Sequence, residues 1–136
     1  MSSDPNDPCI FCVPRDVTRQ NELAYCTRDS YPVNPGHALV VPFRHCADFF
    51  DLTPEETSAC FSLLALERLA VDAEFKPDGY NVGVNVNRAA GQSIFHVHIH
   101  LIPRFAGDSP RPQGGIRHVL PKKAHYTRGG NSPKQG

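Results

Sequence analysis

This chain has no net charge: 14 Lys and Arg balance 14 Asp and Glu over 136 residues. A neutral balance removes any bulk electrostatic case for nucleic acid or an anionic membrane as partner. No apolar run approaches the length needed to span a bilayer. Met1 to Pro8 lack the basic and apolar regions of a secretory leader. The 5 cysteines are odd in number and have no regular spacing, which argues against a disulfide framework and fits reduced thiols. A cytoplasmic protein is expected, with Cys26, Cys46 and Cys60 as ordinary packing residues. The length and the 40% apolar content suit a single domain over residues 1–136 with one core. Charge is uneven only at the end. Half of the basic residues lie from Arg104 onward against one acid, Asp108, so a basic, Pro/Gly-rich extension is expected from about residue 105.

What the chain does have is a run of alternating histidines. In Phe95-His96-Val97-His98-Ile99-His100-Leu101 the three imidazoles are spaced by two. On a strand they share one face while Phe95, Val97, Ile99 and Leu101 take the other. Desolvating three rings side by side without partners would cost about 1–3 kcal/mol for each unsatisfied group. The pattern therefore points to chemistry. Imidazole can serve as nucleophile, acid, base or metal ligand near neutral pH.

The neighbouring elements follow from local signals. Short strands are expected over Glu22 to Cys26 and His37 to Phe43, separated by the turn-rich Asp29 to Gly36. Thr53-Pro54-Glu55-Glu56 has the form of a helix start, with an N-cap Thr, Pro at the first helical position and Glu three after the cap. The helix should run from Pro54 to near Phe75-Lys76-Pro77. Its apolar positions Phe61, Leu64, Val71 and Phe75, widened by Leu63, Leu66, Leu69 and Ala70, exceed what one sheet face needs. From Gly79 to Val86 the alternation returns and leads through Arg88 to Ser93 into the histidine strand, predicting a hairpin. Asn85, Gln92 and Ser93, with a flexible Gly91, would then lie beside the imidazoles as donors for an anion. Arg104, directly after the histidines, is a further candidate for attracting phosphate.

The block His96-Val97-His98-Ile99-His100-Leu101-Ile102 resembles the signature of the histidine triad (HIT) superfamily. The resemblance extends to Pro35-Gly36-His37-Ala38-Leu39-Val40-Val41-Pro42, to Arg44-His45, to the Asn85 strand and to Ala89-Ala90-Gly91-Gln92-Ser93. Gly107-Asp108 and Arg117-His118-Val119-Leu120-Pro121 are similar to the continuation in bacterial members. It implies an α+β fold, an antiparallel sheet of about five strands with one long and one short helix, assembled as a homodimer. It also implies an α-nucleotidyl hydrolase or transferase acting on a purine nucleoside phosphoramidate or a dinucleoside polyphosphate. His98 would be the nucleophile, its second ring nitrogen donating to a backbone carbonyl, and His100 would hydrogen-bond the phosphoryl group or the bridging atom. Asn85, Gln92 and Ser93 would cradle phosphate and leaving group, and Asp29 would accept the ribose hydroxyls. Asn87 stands where bacterial relatives often have Gly, and the chain lacks an evident C-terminal aromatic clamp.

Cys9-Ile10-Phe11-Cys12 is open to a redox, a zinc or a packing role from its spacing alone. A redox pair would sit between strand and helix, and Asp, Asn and Pro precede Cys9 instead. Resemblance to HIT members that keep this pair implies structural zinc on Cys9, Cys12, His45 and His96, a Cys₂His₂ set. Two other functions stay open. A His-x-His strand could hold a catalytic metal that activates water, although no carboxylate flanks the triad. The domain could also bind nucleotides with only vestigial activity.

Overall fold

A computed structural model describes residues 9–126. Arg128 and Lys134 of the basic extension, and the segment Met1 to Pro8, lie outside them. Five strands form one antiparallel sheet: β1 (Val17–Gln20), β2 (Ala24–Arg28), β3 (Ala38–Pro42), β4 (Gly79–Gly83) and β5 (Ile99–Arg104), in the spatial order β1-β2-β3-β5-β4. One long helix, α1 (Pro54–Phe75), packs on one face. Among the described residues the short helix expected beside it is replaced by short 3₁₀ segments, at Phe49–Asp51, Arg88–Ala90, Gly115–Val119 and Pro121–Lys123.

Helix α1 starts where the capping signal places it. The Thr53 hydroxyl accepts the Glu56 N–H, and the Glu56 carboxylate accepts the Thr53 N–H. It ends at Lys76, whose left-handed conformation and following Pro77 stop the helix. Cys60, Leu63 and Val71 of the helix pack against Ala24, Cys26, Ala38, Val40, Ile99 and Leu101 of the sheet. Phe61, Leu66 and Leu69 instead stay about half exposed on the outer side.

The inner face of α1 also carries a charge. Glu67 is fully buried and accepts from Arg19 Nε at 2.8 Å, Arg28 Nε at 2.9 Å and the Thr18 hydroxyl. Burial alone would raise its pKa, but these donors outweigh the desolvation and hold the carboxyl below its usual value. The ion cluster ties α1 to β1 and to the end of β2 that leads into Asp29.

Several features differ from expectation, beginning with β2, which lies two residues later than Glu22 to Cys26. β1 carries Val-Thr-Arg-Gln, mostly exposed on a sheet edge, so it lacks the apolar alternation that reveals a strand. The pairing of β4 with β5 stops at Gly83 opposite His100, short of Val86. Regular strand on the histidine side begins only at Ile99, leaving His96, Val97 and His98 ahead of the ladder. Pro42 accounts for this last difference. β3 ends there without an N–H to offer, and the Pro42 carbonyl takes the His96 ring instead, at 2.7 Å. The Val97 N–H meanwhile donates to the Cys46 carbonyl at 2.7 Å. Alternation survives this change, because Val97, Ile99 and Leu101 are all buried in the core.

Candidate active site and metal centre

On the sheet face opposite α1 lies a cavity of about 510 Å³. His98, His100, Asn85 and Ser93 line it, with Asp29, and Phe11, Leu39 and Ile94 give it apolar walls. His98 Nδ1 lies 2.8 Å from the His96 carbonyl. A carbonyl only accepts, so Nδ1 carries the proton and Nε2 keeps the lone pair. Burial pushes the His98 pKa below the usual histidine value, against the hydrogen bond to His96 and the charge of Asp29, so the ring is neutral at pH 7. The Phe11 ring packs 5.0 Å from it, centroid to centroid.

His100 is set by a second histidine. The backbone N–H of Val33 donates to His37 Nδ1 at 3.0 Å, so the proton of the neutral His37 ring sits on Nε2. That Nε2 lies 2.9 Å from His100 Nδ1 and donates to it, which leaves the His100 proton on Nε2. Burial, reinforced by His98 and His37, lowers the His100 pKa to about 4. The relay thus presents one bare nitrogen, on His98, and one N–H donor, on His100. Gly36 makes the approach of His37 feasible. Its φ of 89° and a Cβ position 2.8 Å from the Phe75 ring leave no room for a side chain.

The remaining candidates divide. Asp29 lines the cavity, its Oδ1 accepting the Tyr31 N–H at 2.8 Å and its Oδ2 3.5 Å from His37 Nε2. Asn85 and Ser93 reach the cavity, but Gln92 is buried away from it. Its amide donates to the Ala47 and Ile94 carbonyls and accepts the Asn87 N–H, which braces the loop. Asn87 takes a φ of 72° there, a conformation Asn tolerates. Arg104 is committed to Asp108 and Asn81 and lines a different depression. His37, Phe11 and Leu39 are the site residues that sequence reasoning passed over. The signals available were the Pro-Gly-His block and the apolar pair between the two cysteines.

Beside the cavity, Cys9, Cys12, His45 and His96 bring their donor atoms within 4.8 Å of one another. His96 donates through Nε2 to Pro42, so its Nδ1 lone pair faces the Cys9 and Cys12 sulfurs, each at 3.5 Å. His45 Nδ1 lies 3.2 Å from Cys12 Sγ. A tetrahedral zinc with ordinary bond lengths separates its sulfur and nitrogen ligands by about 3.5 Å, so this set fits the ion. The Pro42 carbonyl supplies the outer contact that orients a ligating imidazole. Arg44 fixes the turn carrying His45 through a two-pronged contact with Glu56. Asp29, His37 and His100 also cluster, but they do not fit a metal. The Val33 N–H already occupies the Nδ1 lone pair of His37, so a neutral ring has no nitrogen to spare.

Comparison with known proteins is consistent with this arrangement. The model of the HIT domain matches residues 12–107. The chain belongs to the HIT family. Among HIT relatives, the AP-4-A phosphorylase of Mycobacterium tuberculosis is 35% identical over 94 residues, covering 68% of this chain and 48% of that protein. The chain thus spans about half the length of that relative. A solved HIT family protein from Bacillus anthracis superposes with a TM-score of 0.70 at 39% identity, covering 75% of this chain and 77% of that one. A zinc-bound histidine triad family protein from Mycobacterium smegmatis does so with a TM-score of 0.64 at 31% identity, covering 76% and 79%. The five-stranded α+β fold of this HIT domain agrees with that expected from its motifs.

Proposed function

We propose that this HIT protein is an α-nucleotidyl hydrolase or transferase that works through a covalent nucleotidyl-His98 intermediate. The observation that carries the reading is the 2.8 Å contact from His98 Nδ1 to the His96 carbonyl, which leaves Nε2 as a lone pair on the cavity. Nε2 attacks the α-phosphorus, and the bond to the leaving group breaks with its electron pair going to that group. Positive charge developing on the ring is stabilised through Nδ1–H by the His96 carbonyl. The His100 Nε2–H donates to a phosphoryl oxygen or to the bridging atom, and Asn85 and Ser93 offer further donors. Water then cleaves the nitrogen–phosphorus bond, releasing a nucleoside monophosphate, neutral His98 and a proton that balances the one taken up by the departing group. Asp29 would hold the ribose, and Gln92 acts by bracing the loop that carries Ser93.

Substrates are purine nucleoside phosphoramidates or dinucleoside polyphosphates, the latter in keeping with the name of the M. tuberculosis relative. Zinc on Cys9, Cys12, His45 and His96 would be structural, fastening the N-terminal segment beside the triad. A catalytic metal is disfavoured because, among the described residues, no metal-competent cluster includes His98. The exposed Phe61, Leu66 and Leu69 favour a homodimer through α1. Among the described residues no helix is long and apolar enough to cross a membrane, and the cysteines are unpaired. A cytoplasmic location is part of the same proposal.

The deciding experiment is intact-protein mass spectrometry after an acid-free quench with a nucleoside phosphoramidate, using a His100 variant to slow hydrolysis. A nucleotidyl adduct mapping to His98, and its absence in His98→Ala, supports the covalent route. Turnover without an adduct, lost on chelation, would reassign the triad to metal-activated water. Tight nucleotide binding without turnover would point to a vestigial enzyme.

A further inference from the structure

Of the charged residues lining the cavity, Arg15 and Asp16 have no role in the chemistry above. Arg28 is committed to Glu67 and Glu74, and Asp29 accepts the Tyr31 N–H. Arg15 and Asp16 also line the cavity, and among the described residues neither side chain has a hydrogen-bond or ion-pair partner.

Arg15 and Asp16 are exposed and border the cavity just ahead of β1, where the extended alternation is interrupted. Asp16 breaks it with a φ of 51°, a left-handed conformation that Asp and Asn tolerate best outside glycine. The turn is held from below by the buried Thr27, whose hydroxyl lies 3.0 Å from the Arg15 carbonyl and 3.3 Å from that of Asp16. Thr27 stands opposite Leu39, and Leu39 opposite His100. Thr27, whose hydroxyl holds the Arg15–Asp16 turn, is therefore two strand spacings, roughly 10 Å, across the sheet from His100, and the turn itself leads into β1, the next strand out. With a nucleotide's α-phosphorus at His98 and its sugar at Asp29, the base would reach this turn, beside the apolar wall of Phe11, Leu39 and Ile94.

We propose that Asp16, with Arg15 beside it, reads the pairing edge of the base and gives this protein a preference for guanine over adenine nucleotides. The inference rests on the nucleotide reading of the cavity. A carboxylate only accepts hydrogen bonds. Guanine offers two adjacent donors, N1–H and the N2 amino group, with the O6 acceptor next to them. The two Asp16 oxygens match the donors, and the Arg15 guanidinium matches O6. Adenine places a bare N1 lone pair next to its amino group, so one carboxylate oxygen would meet an acceptor.

Isothermal titration of the full chain with GMP, AMP and XMP tests this, on wild type and on Asp16→Asn. Asn keeps the left-handed turn, and its amide, one donor and one acceptor, matches the O2 and N1–H of xanthine. Wild type should bind GMP at least about fivefold tighter than AMP, the lower end of a bidentate pair's discrimination. Asp16→Asn should lose that preference and gain affinity for XMP. Wild-type affinities for GMP and AMP within twofold, or an unchanged preference in Asp16→Asn, overturns the base readout and leaves the nucleotide site standing. Failure of all three nucleotides to bind overturns the nucleotide site together with the base readout.

Discussion

At the scale of single residues, the proposed function depends on which ring nitrogen holds a proton. His98 and His100 have the same side chain, yet the His96 carbonyl leaves one with a bare Nε2, the proposed nucleophile, and His37 leaves the other with an N–H to donate. Replacing His37 by Phe keeps bulk but frees the His100 tautomer. We expect kcat to fall about 10- to 100-fold, with KM changed little, by analogy with lost outer-shell partners of metal-bound histidines. Imidazole nitrogen NMR separates this from simple damage to the fold. Wild type should show His100 protonated at Nε2, and His37→Phe a mixture. Retention of a single Nε2–H tautomer in the variant would remove His37 from the relay. The grouping of His98, His100 and Asn85 was legible in the sequence because alternation is a local pattern, even though only His100 of the three lies on a regular strand. The role of His37 was not, since it depends on β3 lying against β5 with Leu39 opposite His100.

At the scale of elements, the clearest unexpected feature is Glu67 inside the helix–sheet interface. Helical periodicity marks it as a position on the inner face, but no pattern in the chain reports that Arg19 and Arg28 would meet it there. Glu67→Gln leaves Arg19 without a counter-ion and Arg28 with only the exposed Glu74, each guanidinium about 30% exposed, and should cost about 2–4 kcal/mol at pH 7. The pH dependence has a definite sign. The folded state holds the Glu67 carboxyl below its ordinary 4.5, so its contribution is present above that pH and is lost as pH falls through the folded value. Urea unfolding at pH 7 and pH 3.5 should therefore bring wild type and Glu67→Gln closer together in acid. A gap that stays constant would show that Glu67 contributes through packing alone. Capping of α1 was legible for the opposite reason: Thr53, Pro54 and Glu56 act within one turn.

At the scale of the whole molecule, the proposed zinc site joins the N-terminal segment, the turn after β3 and the residue that opens the triad. Metal analysis should find one zinc per chain in wild type and none in a Cys9→Ser, Cys12→Ser double variant. The variant's Tm should be lower by about 5 °C or more, since 1 kcal/mol moves Tm by about 3–5 °C at this size. Wild-type protein purified without chelator but free of zinc would discard the site. Light scattering should report a dimer, and Leu66→Glu with Leu69→Glu should shift it toward monomer. A wild-type monomer at micromolar concentration would instead assign those exposed side chains of α1 to no partner. By itself the sequence determined what is encoded within a few residues: the capped helix, the imidazole alternation and the Cys-x-x-Cys pair. Tertiary structure alone decided that the β3–β5 ladder stops at Val40, that Gln92 braces a loop, that His37 sets His100 and that Arg15 and Asp16 border the cavity. Those outcomes depend on contacts between segments far apart in the chain, where hydrogen-bond satisfaction and burial are settled only once the sheet has closed.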